Sequence, residues 1–200
     1  ILVVLGHHRA DAAAIEAAIA AGARMCTHLG NGSDATLPRL DNPIWRQLGE
    51  DRLWASFIAD GHHIPPATLR SMLRAKTLAR SVLVTDAMCA AGMPAGRYRL
   101  GDSQVERTPA GRVVLPGTPY LAGSGADMPL CITRAVVDAG LTLEQAVALA
   151  SLHPAQLLLG EPLEWAPQPG DVANLVELEW SPRKQCLIVH RAVAGEFTAP

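Results

Sequence analysis

Four times in its first half the chain runs through a short apolar stretch and stops on a polar group. The stretches are Ile1 to Leu5 into Gly6-His7, Met25 to Thr27 into His28, Trp54 to Ala59 into Asp60-Gly61-His62-His63, and Ser81 to Thr85 into Asp86. A run that is apolar along its length, rather than at alternate positions, is the pattern of a strand buried on both faces. Helix signals fill the intervals. Asp11 is placed to cap an Ala-rich helix that Gly22 closes, and Pro65-Pro66 opens another helix through about Ala79, with proline in the first turn where its missing N–H is harmless. Strands alternating with helices require parallel pairing with crossover connections, which brings all the polar termini to one edge of one sheet. The expected architecture is α/β: the second half of an eight-stranded (β/α)8 TIM-type barrel, whose active-site groups lie at the C-terminal ends of the strands. An open doubly wound sheet is disfavoured, because no glycine-rich phosphate turn follows the first strand.

The remainder is less regular. Gly30 to Glu50 reads as a long loop with a short helix near Ile44 to Leu48, and Gly96 to Gly117 as a hairpin excursion built on Tyr98 to Leu100 and Arg112 to Leu115. Helices are expected over Met128 to Ala139 and Leu143 to Leu159, then strands over Ala173 to Leu178 and Gln185 to Ala192. This divides the chain into a barrel portion, 1–165, and part of a small β-sandwich module, 166–200. A formal charge of −2 with scattered basic residues argues against nucleic acid or anionic membranes as partners. The four cysteines lie far apart with no C-x-x-C pair, as expected of reduced thiols in a cytoplasmic protein. The chain opens on Ile1 inside an apparent core strand, as a piece of a longer polypeptide would.

The strand-end groups have the chemistry of a hydrolytic metal site. His7 and His28, one helix and its turns apart, would meet as ligands on adjacent strands, and a third ligand, a carboxylate, is expected from upstream of residue 1. Asp86 suits a general base that takes a proton from water and then delivers it to a leaving group. His63 is placed to donate a hydrogen bond to substrate or to a developing oxyanion. Each has a structural alternative: a satisfied strand-end histidine, or, for Asp86, the cap of a following helix. His8 and His62 adjoin the favoured histidines, whereas His153 and His190 read as structural or exposed.

Five motifs in order, Gly6-His7, Thr27-His28-Leu29-Gly30-Asn31-Gly32, Ile58-Ala59-Asp60-Gly61-His62-His63, Leu83-Val84-Thr85-Asp86-Ala87 and Leu121-Ala122-Gly123-Ser124, resemble the N-acetylglucosamine-6-phosphate deacetylases of the amidohydrolase superfamily. The resemblance implies that His7 and His28 bind a divalent metal (zinc, iron or manganese), that Asp86 is the catalytic acid/base, and that His63, Asn31 and Gly32 contact an amino-sugar substrate. The reaction it implies is hydrolysis of the N-acetyl amide to acetate and an amino sugar, by a homodimer. Where the family has T-H-L-[FY]-N-A-M this chain carries Gly30, Gly32 and Ser33, and Leu37 to Pro43 replaces an R-E-P-G segment, so that Arg39 stands nearest to the family's phosphate-binding arginine. The segment from Leu121 to Met128 departs from L-A-G-S-x-x-T-M while keeping a backbone able to line an acyl pocket. Two other readings stay open: an amidohydrolase for cyclic amides or N-acyl amino acids, and a metal-free binding relative.

Overall fold

The computed structural model describes residues 1–160, 168–195 and 197–199. The expected alternation is present: β1 (Val3–Leu5), α1 (Ala12–Ala20), β2 (Ala23–Cys26), α2 (Pro43–Leu48), β3 (Trp54–Ile58), α3 (Pro66–Lys76) and β4 (Ser81–Val84). The strands form one parallel sheet in the order β1-β2-β3-β4, so their C-terminal ends share an edge. Asp11 caps α1 by accepting from the Ala14 N–H, and Asn42 caps α2 by accepting from the N–H groups of Ile44 and Trp45.

Burial is not uniform across the sheet. Ala55, Phe57 and Ile58 of β3 are fully buried, whereas Val3 and Val4 are 48% and 39% exposed. The double-sided burial expected of every apolar run fails at β1, because β1 is an edge and pairs outward with no strand among the described residues. The main core joins Phe57 and Leu83 of the sheet to Leu69, Met72 and Leu73 of α3 and, from the next two helices, to Cys131, Ala135 and Leu149.

After β4 the chain makes a three-stranded antiparallel sheet of β5 (Gly96–Leu100), β6 (Ser103–Arg107) and β7 (Val113–Val114). The middle strand, unmarked by any apolar run, buries only Val105 against Val113 and Ala90. Then come α4 (Met128–Ala139), α5 (Leu143–Ala150) and α6 (Leu152–Leu159). The single helix expected over Leu143 to Leu159 is therefore two. A continuous helix would drive the ring of Pro154 into the preceding turn; the break at Ser151 puts Pro154 in the first turn of α6, and the Ser151 hydroxyl donates to the Val147 carbonyl at 2.7 Å. Similarly α3 stops at Lys76 rather than near Ala79, since Thr77 adopts φ +67° and Lys76 turns inward to donate to the Gln47 and Glu50 carbonyls. The terminal strands β8 (Asn174–Ser181), β9 (Cys186–Ala194) and β10 (Phe197–Ala199) form an antiparallel sheet, and Leu187 of β9 anchors it to α4 by donating its N–H to Thr133. The expected boundary between 165 and 166 lies outside the described residues.

Candidate active site

His7 and His28 leave adjacent strands side by side, with ring centroids 4.7 Å apart and planes inclined at 56°. Glycine makes that approach possible. A Cβ on Gly6 would lie 2.7 Å from Thr27 Cγ2, and one on Gly32 would lie 2.5 Å from Cδ2 and 2.8 Å from Nε2 of His7. Gly32, at φ +72°, thus lets the loop after β2 close on the imidazole.

The backbone at these positions is strained. Among the described residues, five other than glycine adopt positive φ, and three of them are His7 (+47°), His28 (+30°) and Asp86 (+52°). Such conformations persist only where neighbours hold them, and they gather at functional sites. At His28 the hold comes from β3: the His28 N–H donates to the Ser56 hydroxyl at 2.7 Å, and the Leu29 N–H to the Ser56 carbonyl at 2.9 Å. Asn31 then donates its own N–H and side-chain amide to the His28 carbonyl. His28 Nδ1 is nevertheless buried without a hydrogen-bond partner. A buried ring nitrogen left unpaired is costly unless a ligand satisfies it. The pair therefore fits a divalent cation as two of its ligands. Among the described residues no third His, Cys, Asp or Glu joins them.

Two cavities meet at Leu29, Gly30 and Asn31. One lies over Gly6, His7 and Gly32. The other, about 290 Å³, opens between α2 and α3 and is lined by His63, Ile44, Trp45, Ile64 and Met72. Asn31 borders both, between the imidazole pair and His63.

His63 does not stand alone. Its Nδ1 lies 2.7 Å from Asp60 Oδ2, while Asp60 Oδ1 accepts from the N–H groups of His62 and His63 at 2.8 Å each. Ser124 donates its hydroxyl to Asp60 Oδ2 at 3.2 Å. Burial alone would raise the Asp60 carboxyl, but the His63 ring and the two backbone N–H donors hold it down to about 2. Asp60 thus stays ionised although its side chain is only 3% exposed. Sequence reasoning assigned no role to Asp60, although it ends the β3 run just as His7, His28 and Asp86 end theirs.

Asp86 is exposed at the end of β4, and no helix follows it directly, which removes the capping alternative. Its turn is tied to the 121–126 segment: the Ser124 N–H donates to the Asp86 carbonyl at 2.8 Å, and the Met88 N–H donates to the Ser124 carbonyl at 3.1 Å. Leu121, on that segment, bridges to Val114. Arg39 is exposed on the loop before α2 and borders neither cavity. The neighbouring histidines are structural or outlying: His8 Nε2 faces Gln47 at 3.3 Å, His62 is exposed, His153 Nδ1 meets the Ser81 carbonyl, and His190 pairs with Glu179.

A parallel β/α sheet with paired imidazoles, a strained aspartate and a buried Asp–His couple on its C-terminal edge has the site layout of the (β/α) enzyme class. No family model matches the chain. It is 37% identical to the N-acetylgalactosamine-6-phosphate deacetylase of Escherichia coli O157:H7, over 88% of this chain and 46% of that protein. A shorter protein of E. coli strain K12, named as a candidate N-acetylgalactosamine-6-phosphate deacetylase, is 37% identical over 76% of this chain and 89% of its own length. Among solved structures, the Mycobacterium smegmatis N-acetyl-D-glucosamine-6-phosphate deacetylase is 35% identical with a TM-score of 0.73, over 81% of this chain and 43% of that one. It was solved as an aspartate-to-alanine variant in complex with N-acetyl-D-glucosamine-6-phosphate. The chain belongs to the N-acetylglucosamine- and N-acetylgalactosamine-6-phosphate deacetylase family. It spans less than half the length of the first two curated relatives it matches.

Proposed function

We propose that this chain forms the second half of a (β/α)8 barrel that hydrolyses the N-acetyl amide of an amino-sugar 6-phosphate, giving acetate and the free amine. The observation that carries this reading is the buried, unpartnered Nδ1 of His28 beside the His7 ring. His7 and His28 would hold a divalent cation (zinc, iron or manganese), and a carboxylate, which none of the described residues supplies, would be the third ligand. When bound, the cation supplies Lewis acidity. Asp86 accepts a proton from the attacking water and returns it to the leaving nitrogen, a cycle that its exposure to the rim allows. His63 and Asn31 contact the sugar, Gly32 keeps the loop closed on His7, and the Leu121 backbone lines the acyl side. Arg39, which stands nearest in sequence to the family's phosphate-binding arginine, is assigned the 6-phosphate. Four free cysteines accord with the reducing conditions of a cytoplasm, and the family resemblance supports a homodimer.

The test uses full-length protein: metal content, and acetate release from N-acetylglucosamine and N-acetylgalactosamine with and without a 6-phosphate. Turnover of a phosphorylated sugar is expected. Turnover only of cyclic amides or N-acyl amino acids in the same assay would move the assignment to another amidohydrolase class, and metal-free, inactive protein would make it a binding relative.

A further inference from the structure

The Asp60 carboxylate makes more directed contacts than a simple buried ion pair needs. Oδ1 is spent on two backbone N–H groups, which fixes the carboxylate plane against the turn that follows β3. Oδ2 is left for His63 Nδ1 at 2.7 Å and the Ser124 hydroxyl at 3.2 Å. An ionised carboxylate only accepts hydrogen bonds, so Nδ1 of His63 must carry the proton. Ser124 itself is fixed, since its hydroxyl accepts from the Ala126 N–H and its backbone forms both hydrogen bonds to the Asp86 turn.

We propose that Asp60 is a positioning residue: it locks His63 in the Nδ1–H tautomer, so that Nε2 is the ring nitrogen offered to the cleft, and through Ser124 it sets that ring relative to Asp86. This rests on the reading of His63 as a substrate contact. The proposal adds a chemical constraint to that reading. In its neutral form the ring so held presents an acceptor at Nε2, and the substrate partner of that form is a donor, a sugar hydroxyl or the amide N–H, rather than the carbonyl oxygen. The oxyanion role open to His63 on sequence grounds passes to other groups. His63 lines the largely apolar cleft between α2 and α3 together with Ile64 and Trp45.

Asp60→Asn separates positioning from folding. The amide oxygen can still accept from the two backbone N–H groups, but the amide nitrogen then points a donor at His63 Nδ1 and forces the proton to Nε2. In full-length protein labelled with ¹⁵N-histidine and held at alkaline pH, wild type is expected to show a protonated Nδ1 and a bare Nε2 for His63, and Asp60→Asn the reverse. On the amino-sugar panel kcat/KM should fall about 10- to 100-fold in Asp60→Asn. Added to His63→Ala, the same change should cost nothing further. A wild-type ring protonated at Nε2 overturns the proposal without any variant, and so does an additive loss in the double variant. If every sugar proves inert, the deacetylase reading fails while the tautomer still decides the role of Asp60.

Discussion

The two ends of the parallel sheet are built from the same kinds of residue and treat them oppositely. At the C-terminal edge, His7, His28 and Asp86 sit at positive φ, and a buried imidazole nitrogen has no partner. At the N-terminal edge the polar groups are largely satisfied. Arg52 is clamped by Glu16 and Glu50, Arg80 lies over the Trp54 ring at 5.4 Å, Trp54 packs edge-on against His153, and His153 reaches the Ser81 carbonyl. Each end also holds a cavity, of about 290 Å³ beside His63 and about 270 Å³ beside Arg24 and Arg52. Volume therefore does not separate them. The density of strain and an unmet hydrogen-bonding capacity do: three of the strained non-glycine residues gather at the C-terminal edge beside the unpartnered His28 Nδ1, against Thr77 alone at the other. On the proposed function the difference places chemistry at one edge and cohesion at the other, the arrangement of parallel β/α enzymes.

The largest effect that this contrast predicts is at Asp86. Asp86→Asn keeps the shape of an exposed side chain that caps no helix, so melting temperature should hold while kcat falls by about 10²- to 10⁴-fold. An unchanged kcat would place the proton transfer elsewhere. Next comes Gly32→Ala. Its Cβ would meet the His7 ring at 2.5 Å on a backbone already at φ +72°, so the loop must open or the imidazole must move. With strain of about 1–3 kcal/mol, metal retention and kcat/KM should drop together by roughly tenfold or more. Metal bound at full stoichiometry in that variant would show that His7 does not need the closed loop.

What could be read from the chain alone follows the same division. Continuous apolar runs announce β2, β3 and β4 because both faces are buried, and proline and aspartate caps announce α1 and α3. Edge status leaves no such mark: Val3 and Val4 look like core and are exposed, since exposure depends on what lies beside β1. The break at Ser151 turns on one proline ring, and β6 buries a single side chain, so neither disturbs the local pattern enough to be seen. His7, His28 and Asp86 stand out as candidates because each closes a strand run, whereas Asp60, which closes one too, is hidden by the two histidines beside it. Nothing in the order of Arg24, Arg52 and Arg80 suggested that they border one cavity at the strand starts.

A smaller effect concerns acid. The Asp60 carboxyl titrates at about 2 in the folded chain against 3.8 ordinarily, because His63 and two backbone N–H groups outweigh its burial. A folded value below the unfolded one means that the native state binds fewer protons. Its contribution, roughly 2 kcal/mol, is therefore complete above about pH 4 and is lost as pH falls from there toward 2. Asp60→Asn should flatten that limb of an acid-unfolding curve while leaving the neutral baseline lower. An unaltered acid limb would mean that the carboxylate is not ionised in the fold.

The smallest effect belongs to the best-paired residue. Arg52 makes more charged contacts than any group at the C-terminal edge, holding Glu16 through Nη1 and Nη2 and keeping Glu50 down to about 2. Its side chain is 51% exposed, however, so water and salt screen the pairs and replace them readily when they are broken. Arg52→Gln should move the melting temperature by no more than about 2 °C, less still in high salt, and should leave kcat untouched. A large loss of activity in this variant would join the two edges functionally and end the division between them. The expected near-silence, set against the response at Asp86, would show that what marks a site here is the group left unsatisfied rather than the group most heavily bonded.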